Sequence, residues 1–158
     1  TIKVVIEVSR RLDAIETVVA VFNEAMAIQE IYLKKGKFKE LSMSETHVLD
    51  AIDKVDFPSM TNVAKELHIT VGTLTTAVKK IAEKGFLVKE RSTKDQRVFL
   101  LKLTKKGHEA LVVHENFHRE LANIYKSAIP DERLDWVFDT LKKIKIDLES
   151  FKKELEAK

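Results

Sequence analysis

Residues 69–106 read ITVGTLTTAVKKIAEKGFLVKERSTKDQRVFLLKLTKK, and their punctuation decides the fold. Thr70 is an N-cap residue, Leu74, Val78 and Ile81 recur at helical spacing, and Gly85 is a C-terminal stop, which together predict a short helix over 71–84. Runs 86–91 and 97–103 are rich in β-formers, and the Ser-Thr-Lys-Asp-Gln between them predicts a hairpin with a charged tip. Immediately upstream, Pro58-Ser59 opens another short helix, with Ser59 as N-cap and Val63, Ala64 and Leu67 facing inward. Only residues 67–70 separate the two helices, which is the pattern of a helix-turn-helix. His68 falls at the turn position where a positive φ is common, a conformation His tolerates better than most residues.

Charge singles out the same region. Between residues 59 and 107, eleven Lys and Arg face four Asp and Glu, a net of +7, so the rest of the chain holds −4 of the overall +3. An asymmetry of that size within 158 residues points to a polyanionic partner for the middle third. The outward face of the 71–84 helix consists of Val71, Gly72, Thr73, Thr75, Thr76, Lys79 and Lys80. Thr hydroxyls and methyls suit phosphates, base edges and thymine methyl groups, and Gly72 leaves room for a close backbone or phosphate. At the hairpin tip, Lys94, Asp95 and Arg97 add a cation suited to the minor groove, with Asp95 placed to hold the Arg97 guanidinium, to cap its own turn, or to do both. With the cap residues Ser59 and Thr70, these are the expected DNA contacts. Taken singly, the Thr and Lys residues would be an ordinary solvated face; their placement between a helix-turn-helix and a basic hairpin favours DNA.

Working outward, apolar residues at 8, 12, 15, 19, 22, 26 and 33 form one stripe on a first helix over 8–33. Ser42 and Glu45 stand at capping-box spacing ahead of a helix carrying Val48, Leu49 and Ile52. Thr104 caps a long helix to about residue 128. After Ile129-Pro130-Asp131, a last helix repeats Leu134, Val137, Leu141, Ile144, Leu148, Phe151 and Leu155 at steps of 3, 4, 3, 4, 3, 4, as in a helix–helix seam. Such stripes serve equally well inside one chain, but these two flank a module too small to cover both. That favours pairing between two chains through Leu12, Ile15 and Val19 and through Leu134, Val137, Leu141, Ile144, Leu148 and Phe151.

Several function classes are excluded or disfavoured. With no Cys there is no disulfide, thiol nucleophile or Cys-based zinc site, and the cytoplasm is the expected compartment. Apolar runs fall far short of the roughly 20 residues of a membrane span, and the N-terminal TIKVVIEVSRR lacks signal-peptide order, so no membrane partner is expected. A Gly-rich phosphate loop, GxSxG and HExxH are all missing, and local spacing brings no carboxylates together, so the chain is not expected to be an enzyme. His114 and His118 have the i, i+4 spacing of metal ligands, with His47 elsewhere. On a lysine-rich helix that pair is more often a surface or interface feature, so no metal or cofactor is assigned.

These residues resemble the MarR family of bacterial winged-helix repressors over nearly the whole chain. The motif Asp95-Gln96-Arg97 followed by Leu103-Thr104-Lys105-Lys106-Gly107, at this distance from the helix-turn-helix, is the most specific part. Within that family the chain is similar to the fatty-acid-synthesis repressors of streptococci and enterococci. The matching stretches are Phe38-Lys39-Glu40-Leu41-Ser42, Glu45-x-His47, Val63 to Leu67, Thr70 to Thr76, and His114-x-x-x-His118; the first residues of the chain are an extension to it.

The resemblance implies a mainly α fold with a small β-hairpin wing (α+β), a winged helix-turn-helix between long dimerisation helices. Residues 1–40 would pair chains, 41–107 form the DNA-binding lobe and 108–158 complete the dimer, one intertwined domain overall. It implies a homodimer on a pseudopalindromic operator in double-stranded DNA, at the nucleoid, with helix 71–84 in each major groove and Arg97 in the flanking minor groove. Long-chain acyl groups on acyl carrier protein would act as co-repressor in an apolar pocket, for which Phe22, Met26, Ile31, Val48, Ile52, Phe117 and Leu121 are candidates. Two alternatives stay open: an effector such as zinc, held by His47, His114 and His118, and a winged-helix adaptor that docks a protein.

Overall fold

Capping chemistry sets the element boundaries of the lobe. In a computed structural model describing residues 2–157, with side chains described from Leu12 onward, Ser42 Oγ accepts from the Glu45 N–H while Glu45 Oε2 accepts from the Ser42 N–H. This capping box starts α2 (Met43–Lys54), which follows α1 (Ile2–Lys35). Ser59 Oγ accepts from Asn62 N–H to start α3 (Met60–Glu66), and Thr70 Oγ1 accepts from Thr73 N–H to start α4 (Val71–Glu83). Between them His68 has φ 53°, as expected, and the Ile69 and His68 N–H groups close the end of α3 onto the Ala64 and Lys65 carbonyls. Gly85, at φ 80°, ends α4 the same way, with Phe86 N–H donating to the Ile81 carbonyl.

The hairpin is β1 (Leu87–Arg91) paired antiparallel with β2 (Phe99–Leu103), in the register Leu87↔Leu103 to Arg91↔Phe99. The second strand starts two residues later than its composition suggests. Val98 N–H donates to the Asp95 carbonyl and Ser92 N–H to the Val98 carbonyl, so Arg97 and Val98 belong to the tip. A bridge between Ser59 and Leu100 sews the hairpin to the start of α3. Thr104 Oγ1 donates to the Gly85 carbonyl and accepts from the Gly107 N–H, opening α5 (Lys105–Ala128). Gly107 is required by space: a Cβ there would lie 2.2 Å from the Phe86 carbonyl oxygen. A 3-10 turn at Asp131–Arg133 leads to α6 (Leu134–Glu156).

The chain separates into two compact units, residues 1–118 and 119–158. The core belongs to the first: Leu49, Val63, Leu74, Val78, Ile81 and Phe86 are sealed from solvent where α2, α3, α4 and the hairpin meet. Each such side chain contributes about 1.5–3 kcal/mol of burial. In the second unit no described residue is buried. Along α1, Leu12, Ile15, Val19, Phe22 and Met26 are exposed, while Val8, at the head of the expected stripe, lies outside the described side chains. On α6, Leu134, Leu141, Ile144, Leu148 and Phe151 are exposed and Val137 is half-buried. No described helix is long and apolar enough to cross a membrane.

Candidate nucleic-acid interface

Helix α4 divides cleanly. Leu74, Val78 and Ile81 enter the core, while Val71, Gly72, Thr73, Thr75, Thr76, Lys79 and Lys80 all face solvent, as does the cap Thr70. The hydroxyls are already organised: Thr75 Oγ1 donates to the Val71 carbonyl at 2.8 Å and Thr76 Oγ1 to the Gly72 carbonyl at 3.4 Å. Their protons are spent inside the helix, so what they offer outward is acceptor lone pairs, suited to the amino groups of adenine or cytosine. A Cβ on Gly72 would meet only Thr70 Oγ1, at 3.7 Å. Nothing inside the fold therefore asks for glycine at this position.

The hairpin tip is held by backbone hydrogen bonds. Ser92 is buried, and its Oγ accepts from the Lys94 and Asp95 N–H groups. Asp95 Oδ1 accepts from the Arg97 backbone N–H at 2.9 Å, the turn-capping role expected of it. Lys94 and Arg97 are exposed beyond it. Ser59 is a correction. It is buried, its oxygen accepts from the Asn62 N–H at the α3 cap, and it pairs with β2, so it ties the lobe together and is not part of the exposed face.

Not every cation of the basic segment faces outward. Lys84 Nζ donates to both Glu45 oxygens at 2.6–2.7 Å and to the Glu40 carbonyl, clamping the end of α4 to the start of α2. Burial works to raise the Glu45 pKa, but the bonds from Lys84 and the Ser42 N–H outweigh it and hold the carboxyl below its ordinary value. Lys106 lies 4.1 Å from the Phe86 ring centre and donates to the Lys84 carbonyl. Lys79 and Lys80 on α4's outer face and Lys94 and Arg97 on the wing stay exposed, as do Lys65 on α3 and Lys105 on α5.

A small cavity of about 20 Å³ lies within the first unit, between α1, α2 and α5. Of the seven residues expected to line a pocket, Phe117 lines this cavity and Ile31, exposed on α1, lines a separate open groove with Ile28, Tyr32 and Val113; Val48 and Ile52 are core, Phe22 and Met26 are exposed on α1, and Leu121 is half-buried. The wall is instead built by Gln29, Tyr32, Phe38, Leu41 and Met43, with His114 at one side. One signal in the sequence could have found Gln29: it sits where the stripe 22, 26, 33 calls for an apolar residue. Next to the cavity, His114 and His118 face each other Nε2 to Nε2 at 3.0 Å, and the His47 ring centre is 5.8 Å from that of His114. Burial, then the charges of His118 and His47, lower the His114 pKa to about 4, so its ring is neutral near pH 7. Among the described residues no group of three or more His, Asp or Glu is arranged to hold a metal ion.

Residues 30–112 match the family model described as transcriptional regulator SarA/Rot. The chain belongs to that family. This SarA/Rot-type protein is thus a winged-helix, DNA-binding transcriptional regulator, and the expected likeness to MarR regulators holds. It is similar to FabT of Streptococcus pneumoniae, solved in complex with DNA, with 32% identity and a TM-score of 0.80 over 86% of this chain and 95% of that one. A mutant of Staphylococcus aureus MepR, solved bound to an oligodeoxyribonucleotide, shares the fold alone: 16% identity, TM-score 0.60, covering 84% and 96% of the two chains. Among curated relatives, the regulator Hpr of Bacillus cytotoxicus is 28% identical over 57% of this chain, and the match spans only 49% of Hpr.

Proposed function

We propose that this regulator is a repressor acting as a homodimer on a pseudopalindromic operator, with fatty-acid-synthesis genes as targets and long-chain acyl groups on acyl carrier protein as co-repressor. The observations behind the DNA-reading part are the exposed face Val71 to Lys80 on α4 and the exposed Lys94 and Arg97 at the wing tip, in a fold shared with a protein solved on DNA. Helix α4 enters the major groove, and Arg97 reaches the minor groove, where negative potential is enhanced. The dimer is supported by the apolar residues that α1 and α6 leave exposed along one stripe each. Likeness to FabT and the fatty-acid-synthesis motifs support the acyl effector. The protein itself catalyses nothing; it changes affinity.

Operator titration at several salt concentrations tests the reading. Arg97→Ala should weaken binding by about 1–3 kcal/mol and lower the salt slope by about one, with the dimer intact. Unchanged affinity would remove the wing from the interface. An adaptor that docks a protein would show no steep salt dependence at all. Repeating the titration with long-chain acyl carrier protein, and separately with zinc and with chelator, assigns the effector: the acyl form should tighten binding, and a response to zinc alone would replace it.

A further inference from the structure

Gln29 is 8% exposed, and its Nε2 has no hydrogen-bond partner among the described residues. A buried amide donor left unmatched forfeits its hydration without a replacement bond, so it calls for an explanation such as a bound partner. The surroundings say what that could be. Tyr32, Leu33, Phe38, Leu41 and Phe117 make the cavity wall largely apolar, and no Lys or Arg lines it. Thr46 also lines it, but its hydroxyl already donates to the Ser42 carbonyl at 3.1 Å. His114, neutral near pH 7, brings no positive charge. A carboxylate buried here would lose its hydration with no cation to replace it, a far larger cost than the hydrogen bond returns. A neutral carbonyl oxygen needs only the one donor.

We propose that Gln29 is the polar contact of the effector cavity: its side-chain N–H donates to the carbonyl oxygen of a neutral acyl ester or thioester, and the cavity rejects the free carboxylate. The proposal rests on the acyl-effector reading above and specifies its chemistry. As it stands the cavity, about 20 Å³, has room for one water centre, so the ligand enters by parting the lining side chains. Met43, unbranched and polarizable, is the lining residue best suited to move.

The test titrates the whole protein with three probes of one chain length: S-dodecanoyl-N-acetylcysteamine, the corresponding thioether without the carbonyl oxygen, and dodecanoate. The wild type should prefer thioester over thioether by about tenfold, the equivalent of one net hydrogen bond, and should bind dodecanoate more weakly than the thioester. In Gln29→Met the thioester and thioether should bind alike. Thermal unfolding of Gln29→Met and Gln29→Leu controls for folding; both should melt no lower than wild type, because an unmatched donor has been removed. A preference that survives in both variants, equal binding of thioester and thioether by the wild type (the amide then merely holds a water), or tighter binding of dodecanoate overturns the assignment of Gln29. If none of the probes binds while the operator still does, the acyl-effector reading falls, and the role of Gln29 with it.

Discussion

Helices α4 and α6 follow the same rule and end in opposite environments. Each repeats apolar residues at three- and four-residue steps; yet Leu74, Val78 and Ile81 of α4 are sealed from solvent, whereas no residue of α6 is buried. The lesson is that periodicity specifies a face and leaves its partner open. Helix α4 finds its partner within its own lobe, in α2, α3 and the hairpin, whereas α6 presents its face outward for the second copy proposed above.

The sharpest way to break that comparison is to cut each face. Leu74→Ala should cost about 3–5 kcal/mol in chemical denaturation, independent of protein concentration, since it opens a hole in a closed core. Leu148→Glu should leave the lobe folded and shift sedimentation from dimer to monomer, with a melting temperature that no longer depends on concentration. If Leu148→Glu unfolds the lobe instead, the α6 face is internal and the contrast disappears.

Acid should sharpen the difference next. Because the folded-state pKa of His114 is depressed from 6.5 to about 4, the unfolded chain binds a proton in that window that the folded lobe refuses. Its contribution is therefore fully present above pH 6.5 and is lost as the pH falls through the window. Allowing for partial exposure, the loss between pH 7 and pH 5 should be about 1–2 kcal/mol. Denaturation at the two pH values should show it in the wild type, and His114→Gln should remove most of it. A pH response that survives the substitution would place the sensitive group elsewhere.

The smallest effect on stability falls on the outer face of α4. Gly72→Ala should stabilise the lobe by roughly 0.5 kcal/mol, since its Cβ meets only Thr70 Oγ1. Operator affinity should nevertheless fall about tenfold if the missing Cβ is there to admit the DNA backbone. Stabilisation without any loss of affinity would return Gly72 to an ordinary helix start.

Much of this was legible residue by residue. The Ser42–Glu45 box, the Ser59 and Thr70 caps, the left-handed His68, the Gly85 stop and the hairpin all followed from patterns that close within a few residues. The outer face of α4 followed as well, because three inward residues at helical spacing define the remainder. The wing was readable in outline, down to the Asp95 cap, but the start of its second strand was not. Backbone bonds from Val98 to Asp95 and from Ser92 to Val98 kept Arg97 and Val98 in the tip.

What the chain by itself determined is therefore the set of elements, their ends and the sign of the charge on one face, because caps, periods and turns are local and need no neighbours. Tertiary structure decided what lies behind those faces. It buried Ser59, pressed Gly107 against the Phe86 carbonyl, tied Lys84 and Lys106 to partners within the lobe, and set a small cavity against Gln29. Each of those outcomes depends on side chains far apart in the chain meeting at a few ångströms, and burial, unlike helical phase, is set by the neighbours that arrive.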